Sequence, residues 1–366
     1  LGTDEADGPD SVATARTRCP LHSIFGIVTT TESPQSAADP IARELSAICS
    51  DVRENEPLSD HTTLRIGGPA RWLARAATPD ELTGLLLVAR RVGIETYCIG
   101  GGSNVLASDS GYDGLVIVNG LTDICWQGDG AISVGAGVIW DDLVVAAIER
   151  CYDGFTAGSG IPGTVGGAIY GNAGAYGESV SDYLVGATVC DLDGASRDVT
   201  AADLKFKYRS SALENTSQII LDATFSLPGG DREQMRKRRR DILGIRHSKH
   251  PTVLEPTAGS FFKNIEREGD RVRLLEELGL ADDGKRLAAA VLLDRVGARG
   301  QSEGGAAVSD KHANIIVNRS QATASDLLRL TRRLATAVNE RFGIELETEV
   351  CRLGRFEADI EEQQMP

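Results

Sequence analysis

The 366-residue chain has no apolar run of the ~18 residues a bilayer-crossing helix needs, so a membrane-embedded protein is excluded. It has no excess of positive charge either: 38 Lys and Arg stand against 53 Asp and Glu, a formal net charge of -15. Long-range electrostatics then repel a polyphosphate backbone, and nucleic acid is not an expected partner. Cysteine is scattered rather than clustered. Cys19, Cys49, Cys98, Cys125, Cys151, Cys190 and Cys351 form no CxxC pair and no His/Cys group of zinc-site spacing, so no metal site is expected and reduced thiols of a cytoplasmic protein fit. The opening residues lack the basic-then-apolar start of a secretory signal, so export is not expected, and Leu1 need not be the native start. No internal repeat of solenoid or propeller period is present.

What is present is a soluble composition, 41% hydrophobic and 25% charged, in a chain long enough for two or three cores. Residues 1–43 are rich in Ser, Thr, Asp, Pro and Ala and read as a poorly packed extension; residues 355–366 read as an acidic tail. Between them α and β signals alternate. Thr78-Pro79-Asp80-Glu81 predicts a helix start with a capping box, with Gly93 as its stop. Strands are predicted at 97–99, 114–118, 132–134, 184–189 and 218–225. Leu327, Leu330, Leu334, Val338 and Phe342, followed by Gly343, predict an amphipathic helix of about five turns. A mixed α+β architecture follows, with a break near Gly229-Gly230.

Glycine is in excess, 41 of 366 residues against a usual ~7%. Eight glycines fall within Gly158–Gly177, a density that predicts an unbroken, conformationally special loop. Gly100-Gly101-Gly102-Ser103-Asn104 follows a predicted strand and offers amide and hydroxyl donors to phosphate; Thr62–Gly68 is a third such turn. None is a Walker A or a GxGxxG motif. One glycine-rich turn is usually only a loop, but three together point to an extended, phosphate-containing cofactor.

The set GGGSNVL, GSGIPGTVGGAIYGNAGAYG, FKYRSS, AGSFFKN, GGAAVSDKHANIIVN and LETEV, in this order over about residues 55 to 354, resembles the UDP-N-acetylenolpyruvoylglucosamine reductase family. The resemblance implies a flavoenzyme that reduces UDP-N-acetylglucosamine enolpyruvate to UDP-N-acetylmuramate for peptidoglycan, with noncovalent FAD as cofactor and NADPH as reductant. It implies an FAD-binding PCMH-type, vanillyl-alcohol-oxidase-like fold: two α/β subdomains over 44–245 and a C-terminal α+β substrate domain over 246–354. The cofactor set would be Gly100, Gly101, Gly102, Ser103, Asn104, Gly158, Gly160, Ile161, Pro162, Gly163, Gly166, Gly167, Asn172, Gly174 and Ala175. A monomer acting on a small molecule is expected.

An enol ether is electron-rich and resists hydride unless fixed cations and donors stabilise the enolate that forms. By resemblance Arg209 of the YR pair is that electrophilic residue, Ser260 the proton donor and Glu349 the catalytic glutamate. Without the motifs, Arg209 reads as a surface arginine, Ser260 as a cap or core serine, and Glu345, Glu347 and Glu349 as an exposed edge face. A carboxyl beside a substrate carboxylate helps only if protonated or sharing a proton. Phe261 and Phe262 read as packing. Tyr208, Lys249, Lys263, Asn264 and His312 are the substrate contacts the resemblance implies. Residues 232–249 hold eight Lys/Arg against Glu233 and Asp241 and read equally as a solvated helix face. Two departures stand out: Ile265 replaces the family's usual proline after KN, and the stretch from Leu227 to Ser260 is too short for a tyrosine-bearing lid, which places the chain in the shorter branch. The rival readings are an FAD-dependent oxidase of the same fold, which should lack the YR, GSFFKN and ETEV set, and a non-catalytic flavin or nucleotide-sugar binding protein, in which those residues are incidental.

Overall fold

The computed structural model describes residues 39–356 apart from Asn215 and Val253. The expected extension through residue 38 and the tail from 357 lie outside the described residues. Residues 40–43, assigned to the extension, instead open helix α1 (Pro40–Ile48): Asp39 accepts from the Ile41 amide, and Ala42 and Leu45 are buried. Helix α2 (Pro79–Val92) starts where the sequence says it should. Thr78 Oγ1 accepts from the Glu81 amide at 3.1 Å, while the Glu81 carboxylate accepts from Ala77, one residue earlier than a capping box requires. Gly93 ends it in the left-handed region, φ 73°.

These two helices cover a four-stranded sheet in the order Val52–Pro57, Pro69–Ala76, Tyr112–Asn119, Thr96–Ile99. The first pair is antiparallel and the others parallel, with α2 as the crossover between Pro69–Ala76 and Thr96–Ile99. A second, antiparallel sheet runs Ser196–Thr200, Leu184–Cys190, Ile219–Ser226, Ala131–Gly135, Ile124–Gly128. Its core takes in α3 (Trp140–Glu149) and α4 (Val165–Tyr170). Helix α4 corrects the expectation of an unbroken loop over Gly158–Gly177. Thr164 caps it, Val165, Ala168 and Ile169 bury its inner face, and the side-chain-free Gly166 lets the backbone settle on Ala136. Gly174–Ala175 and Glu178–Ser179 then pair as a hairpin.

Helix α5 (Arg232–Lys249) runs unbroken through the expected 245/246 boundary. The remaining core combines an antiparallel sheet, Thr257–Ser260, Ile315–Asn318, Ala306–Val308, Ser302–Glu303, with α6 (Glu268–Leu278), α7 (Ala289–Arg295) and α8 (Ala324–Phe342). The chain then returns: Cys351–Leu353 lies parallel beside Val105–Ala107 in a two-stranded sheet. Among the described residues no helix is long and apolar enough to cross a membrane, no group of His, Cys, Asp or Glu could hold a metal, and the cysteines are free thiols.

A second tie joins the first sheet's domain to the last helix. Asp109 accepts from the amides of Ala324 and Ser325 at 2.6 and 3.0 Å and from the Ser325 hydroxyl at 2.8 Å, while Thr323 caps Asp326. A carboxylate on the first free amides of a helix is favourable twice, as acceptor and as anion at the positive end of the dipole. Asp109→Ala is therefore expected to lower unfolding stability by about 1–2 kcal/mol, read as a fall in denaturant midpoint; an unchanged midpoint removes the tie from the account.

Candidate active site

A cavity of about 1080 Å³ opens where the three parts meet. Gly100 to Val105, following strand Thr96–Ile99, form one wall; Gly160 to Thr164, Gly166 to Ala168, Gly174 and Ala175 form a second; Ser260, Asn264 and Glu349 stand on a third. The two glycine walls touch. Ser103 Oγ donates to the Pro162 carbonyl at 3.1 Å, and a Cβ on Gly101 would lie 3.3 Å from Gly163 Cα. Gly102 has φ +59°, and a Cβ there would run into the His61 carbonyl. Backbone thus comes to the cavity surface without side chains in between, a cradle that fits an elongated dinucleotide. Gly102→Ala is expected to leave a folded protein that retains less than about a tenth of the flavin, since αL strain of ~1–2 kcal/mol adds to that collision. Flavin absorbance per protein measures it, and full occupancy counts against the cradle.

Of the residues expected at the cofactor, Gly158 and Asn172 are off the wall. Gly158 is buried with its carbonyl taken by Trp140 Nε1 at 3.1 Å. Asn172 holds a turn, donating to the Lys207 carbonyl at 3.0 Å and accepting from the Ser181 amide at 3.2 Å. The other thirteen line the cavity. Asn104 does so in an unexpected way: its side-chain amide donates to the Glu349 carbonyl at 2.9 Å.

Arg209, Ser260 and Glu349 share the same cavity. Arg209 occupies the left-handed region, φ 51°, at a tight turn closed by the Lys207–Ser210 bridge, a strained conformation for a side-chain-bearing residue. Its Nη2 donates to the Gly174 carbonyl at 2.9 Å, and its Nε lies 2.8 Å from Glu349 Oε1. That N–H does not point at an acceptor, so the pair is a charge contact rather than an aligned hydrogen bond. Burial pushes the Glu349 carboxyl above its ordinary range, with Arg209 and then Lys263 drawing it partly back.

Ser260 ends strand Thr257–Ser260, where the pairing with Ile315–Asn318 slips at Gly259, φ +78°. The next peptides are gripped from both sides. The Phe261 amide donates to the Asn314 carbonyl, the buried Asn314 side chain exchanges two bonds with Phe262, and the Glu349 amide donates to the Phe261 carbonyl at 2.8 Å. Ser260 and Glu349 are therefore carried on adjacent, bonded backbone. Phe261 and Phe262 are buried and edge-on, 5.1 Å between centroids, as packing residues.

Tyr208 and Asn264 reach the cavity, and the Asn264 amide donates to the Tyr208 hydroxyl at 3.4 Å. The Arg286 guanidinium sits 4.0 Å over the Tyr208 ring. The structure does not bring Lys249, Lys263 or His312 onto the wall. Lys249 is exposed at the end of α5, Lys263 faces Glu347 at 3.8 Å, and His312 stacks behind His250 at 5.7 Å. His250 takes the wall position; burial, helped by Arg246, lowers its pKa to about 4, so it is neutral.

Arg246 was missed by the sequence reading. Four of the eight cations of the basic helix pair with the protein's own carboxylates: Arg236 with Glu149 at 2.6 Å, Lys237 with Asp241 at 2.8 Å, Arg238 with Glu178 at 2.5 Å and Arg239 with Asp141 at 2.6 Å. Arg246 lines the cavity, and its side chain enters none of those ion pairs. The signal existed, since Leu243, Arg246, His247 and His250, all on the wall, follow the spacing of one helical face.

Known proteins resemble this chain. A family profile described as the C-terminal domain of UDP-N-acetylenolpyruvoylglucosamine reductase matches residues 250–353, and one described as an FAD binding domain matches residues 70–200. UDP-N-acetylenolpyruvoylglucosamine reductase 2 of Symbiobacterium thermophilum is 37% identical over 317 residues, 85% of this chain and 96% of its own. The enzyme of that name from Lactobacillus delbrueckii subsp. bulgaricus is 36% identical over 312 residues, 85% of this chain and 98% of its own. The crystal structure of the Thermus caldophilus reductase superposes with TM-score 0.66 at 31% identity, covering 82% of this chain and 99% of that one. With FAD as cofactor and the fold of that reductase, the chain belongs to the UDP-N-acetylenolpyruvoylglucosamine reductase family.

Proposed function

We propose that this protein reduces UDP-N-acetylglucosamine enolpyruvate to UDP-N-acetylmuramate, using NADPH through FAD, as a monomer in the cytoplasm. The observation that carries the reading is the meeting of Arg209, Glu349 and Ser260 on one side of a cavity whose other walls are the glycine loops.

The chemistry supplied by bound, reduced FAD is transfer of hydride to the terminal alkene carbon. The residues of the chain do the rest. The Arg209 guanidinium fork suits the substrate carboxylate, onto which the pushed electron pair moves as the enolate forms. Glu349, already raised by burial, can hold a proton next to that carboxylate, which removes the repulsion two ionised carboxylates would suffer. Ser260 then gives its proton to the oxygen-bearing carbon. An alcohol is a weak acid, so the step depends on a basic carbon and on placement. Arg246, Tyr208 and Asn264 remain to take the nucleotide diphosphate and sugar.

Anaerobic protein reduced with NADPH and mixed with the enolpyruvyl nucleotide sugar tests this directly. Flavin colour should return with one product formed per flavin. Return of colour only with oxygen makes the protein an oxidase, and a colourless protein makes it a binding protein without flavin chemistry.

A further inference from the structure

Asn104 stands in the glycine loop, where an amide side chain would be read as a phosphate donor. Its side chain is turned the other way. Nδ2 donates to the Glu349 carbonyl at 2.9 Å, and the Asn104 carbonyl accepts from the Cys351 amide at 3.0 Å. One residue thus clasps both sides of Val350, across 245 positions of sequence. The clasp is continuous with the parallel pairing of Cys351–Leu353 on Val105–Ala107, and it lies on the cavity wall with Gly100 to Ser103 before it. From the other side the Glu349 amide is held by the Phe261 carbonyl, next to Ser260. The Glu349 backbone is therefore fixed between the cofactor loop and the strand carrying the proton donor, and the Asn104 amide is the only side chain among the described residues that bonds the Glu349 carbonyl.

We propose that Asn104 is a positioning residue for the reductase reaction, locking the Glu349 carboxyl against Arg209 from the cofactor loop rather than binding the cofactor through its amide. The inference rests on the role given to Glu349 under the proposed function. Losing one backbone bond at this point lets Glu349 drift from an ion pair of 2.8 Å, and small displacements of a reacting group cost about 10- to 100-fold.

The two swaps to compare are Asn104→Ala, which removes the donor, and Asn104→Asp, which keeps the shape and places a carboxylate oxygen against the Glu349 carbonyl. In holoenzyme, flavin affinity and the rate of flavin reduction by NADPH should stay within about twofold of wild type for Ala. Reoxidation by the enolpyruvyl nucleotide sugar should slow by about 30-fold for Ala and more for Asp, with the pH limb of reoxidation displaced in both. Hydrogen exchange should quicken at the Glu349 and Cys351 amides and stay unchanged over Ile315–Asn318. If Asn104 were instead an ordinary cofactor contact, Asp would weaken flavin binding most and FAD-saturated protein would reoxidise at the wild-type rate; that result overturns the proposal, as does equal slowing of both half-reactions. Wild-type protein in the same experiment keeps the two questions apart. If its reduced flavin is not reoxidised by the nucleotide sugar, the proposed function fails first, while faster exchange at Glu349 in Asn104→Ala still reports on the clasp.

Discussion

Ser260→Ala should leave flavin reduction by NADPH within about twofold of wild type and slow reoxidation by the enolpyruvyl nucleotide sugar by about 10³-fold or more. At ~1.4 kcal/mol per factor of ten, that is about 4 kcal/mol of barrier, all of it in one half-reaction. The asymmetry follows from placement. Ser260 sits on the cavity wall at a slipped strand end, and its neighbours Phe261 and Phe262 are buried and bonded on both edges. Loss of one hydroxyl leaves that frame standing, so the effect should be on proton delivery and not on folding. Stopped-flow absorbance of the flavin in each half-reaction decides it. Equal slowing of both halves would mean that Ser260 supports the pocket and does not deliver the proton.

Arg209→Ala should slow reoxidation by about 10²- to 10³-fold, the usual cost of a lost group that stabilises developing negative charge. It should also change the pH profile in a specific direction. Glu349 is needed with its proton, so reoxidation falls as pH rises through the carboxyl's folded pKa. Burial already raises that pKa, and Arg209 is the main group pulling it down. Without Arg209 the pKa climbs and the falling limb moves to higher pH. Glu349→Gln, which cannot titrate, should lack the limb altogether. A pH–rate series on the three proteins tests the pair together; a limb that stays in place in Glu349→Gln belongs to some other group and ends this assignment.

The helices at α2 and α8 and the five predicted strands were legible because their signals are local: a cap, a period and a stop within one stretch of chain. The glycine loops were legible as a cradle for the same reason. The short α4 was hidden by glycine count, since what forms it is the burial of Val165, Ala168 and Ile169 on a sheet the local sequence does not show. The grouping of Arg209, Ser260 and Glu349 came from motif resemblance alone, and no local pattern links Arg209 to Glu349. Of the expected substrate contacts, Tyr208 and Asn264 face the cavity and Lys249, Lys263 and His312 do not. Lys263 and His312 lie beside residues that do face the cavity, Asn264 and His250, and a half-turn of side-chain direction separates a wall residue from one behind it. Charge count in α5 could not decide between a solvated face and a substrate contact, because most of its carboxylate partners are distant in sequence.

Among the described residues the strand Cys351–Leu353 is the last in chain order, yet it is the partner of Val105–Ala107 in their sheet. At about 5–20 residues per second, roughly 10 to 50 s of synthesis separate the two. Through that interval the glycine loop can form on a subdomain that already has its core, but an edge strand stays open and Glu349 is missing. Chains that terminate early would carry the cradle for a flavin with nothing to direct its hydride and an unpaired edge inviting aggregation or proteolysis. Arrival of Cys351–Leu353 closes both gaps in one move. Synthesis order thus delays the pairing that brings Glu349 to the cavity until some 245 residues after the glycine loop has been made.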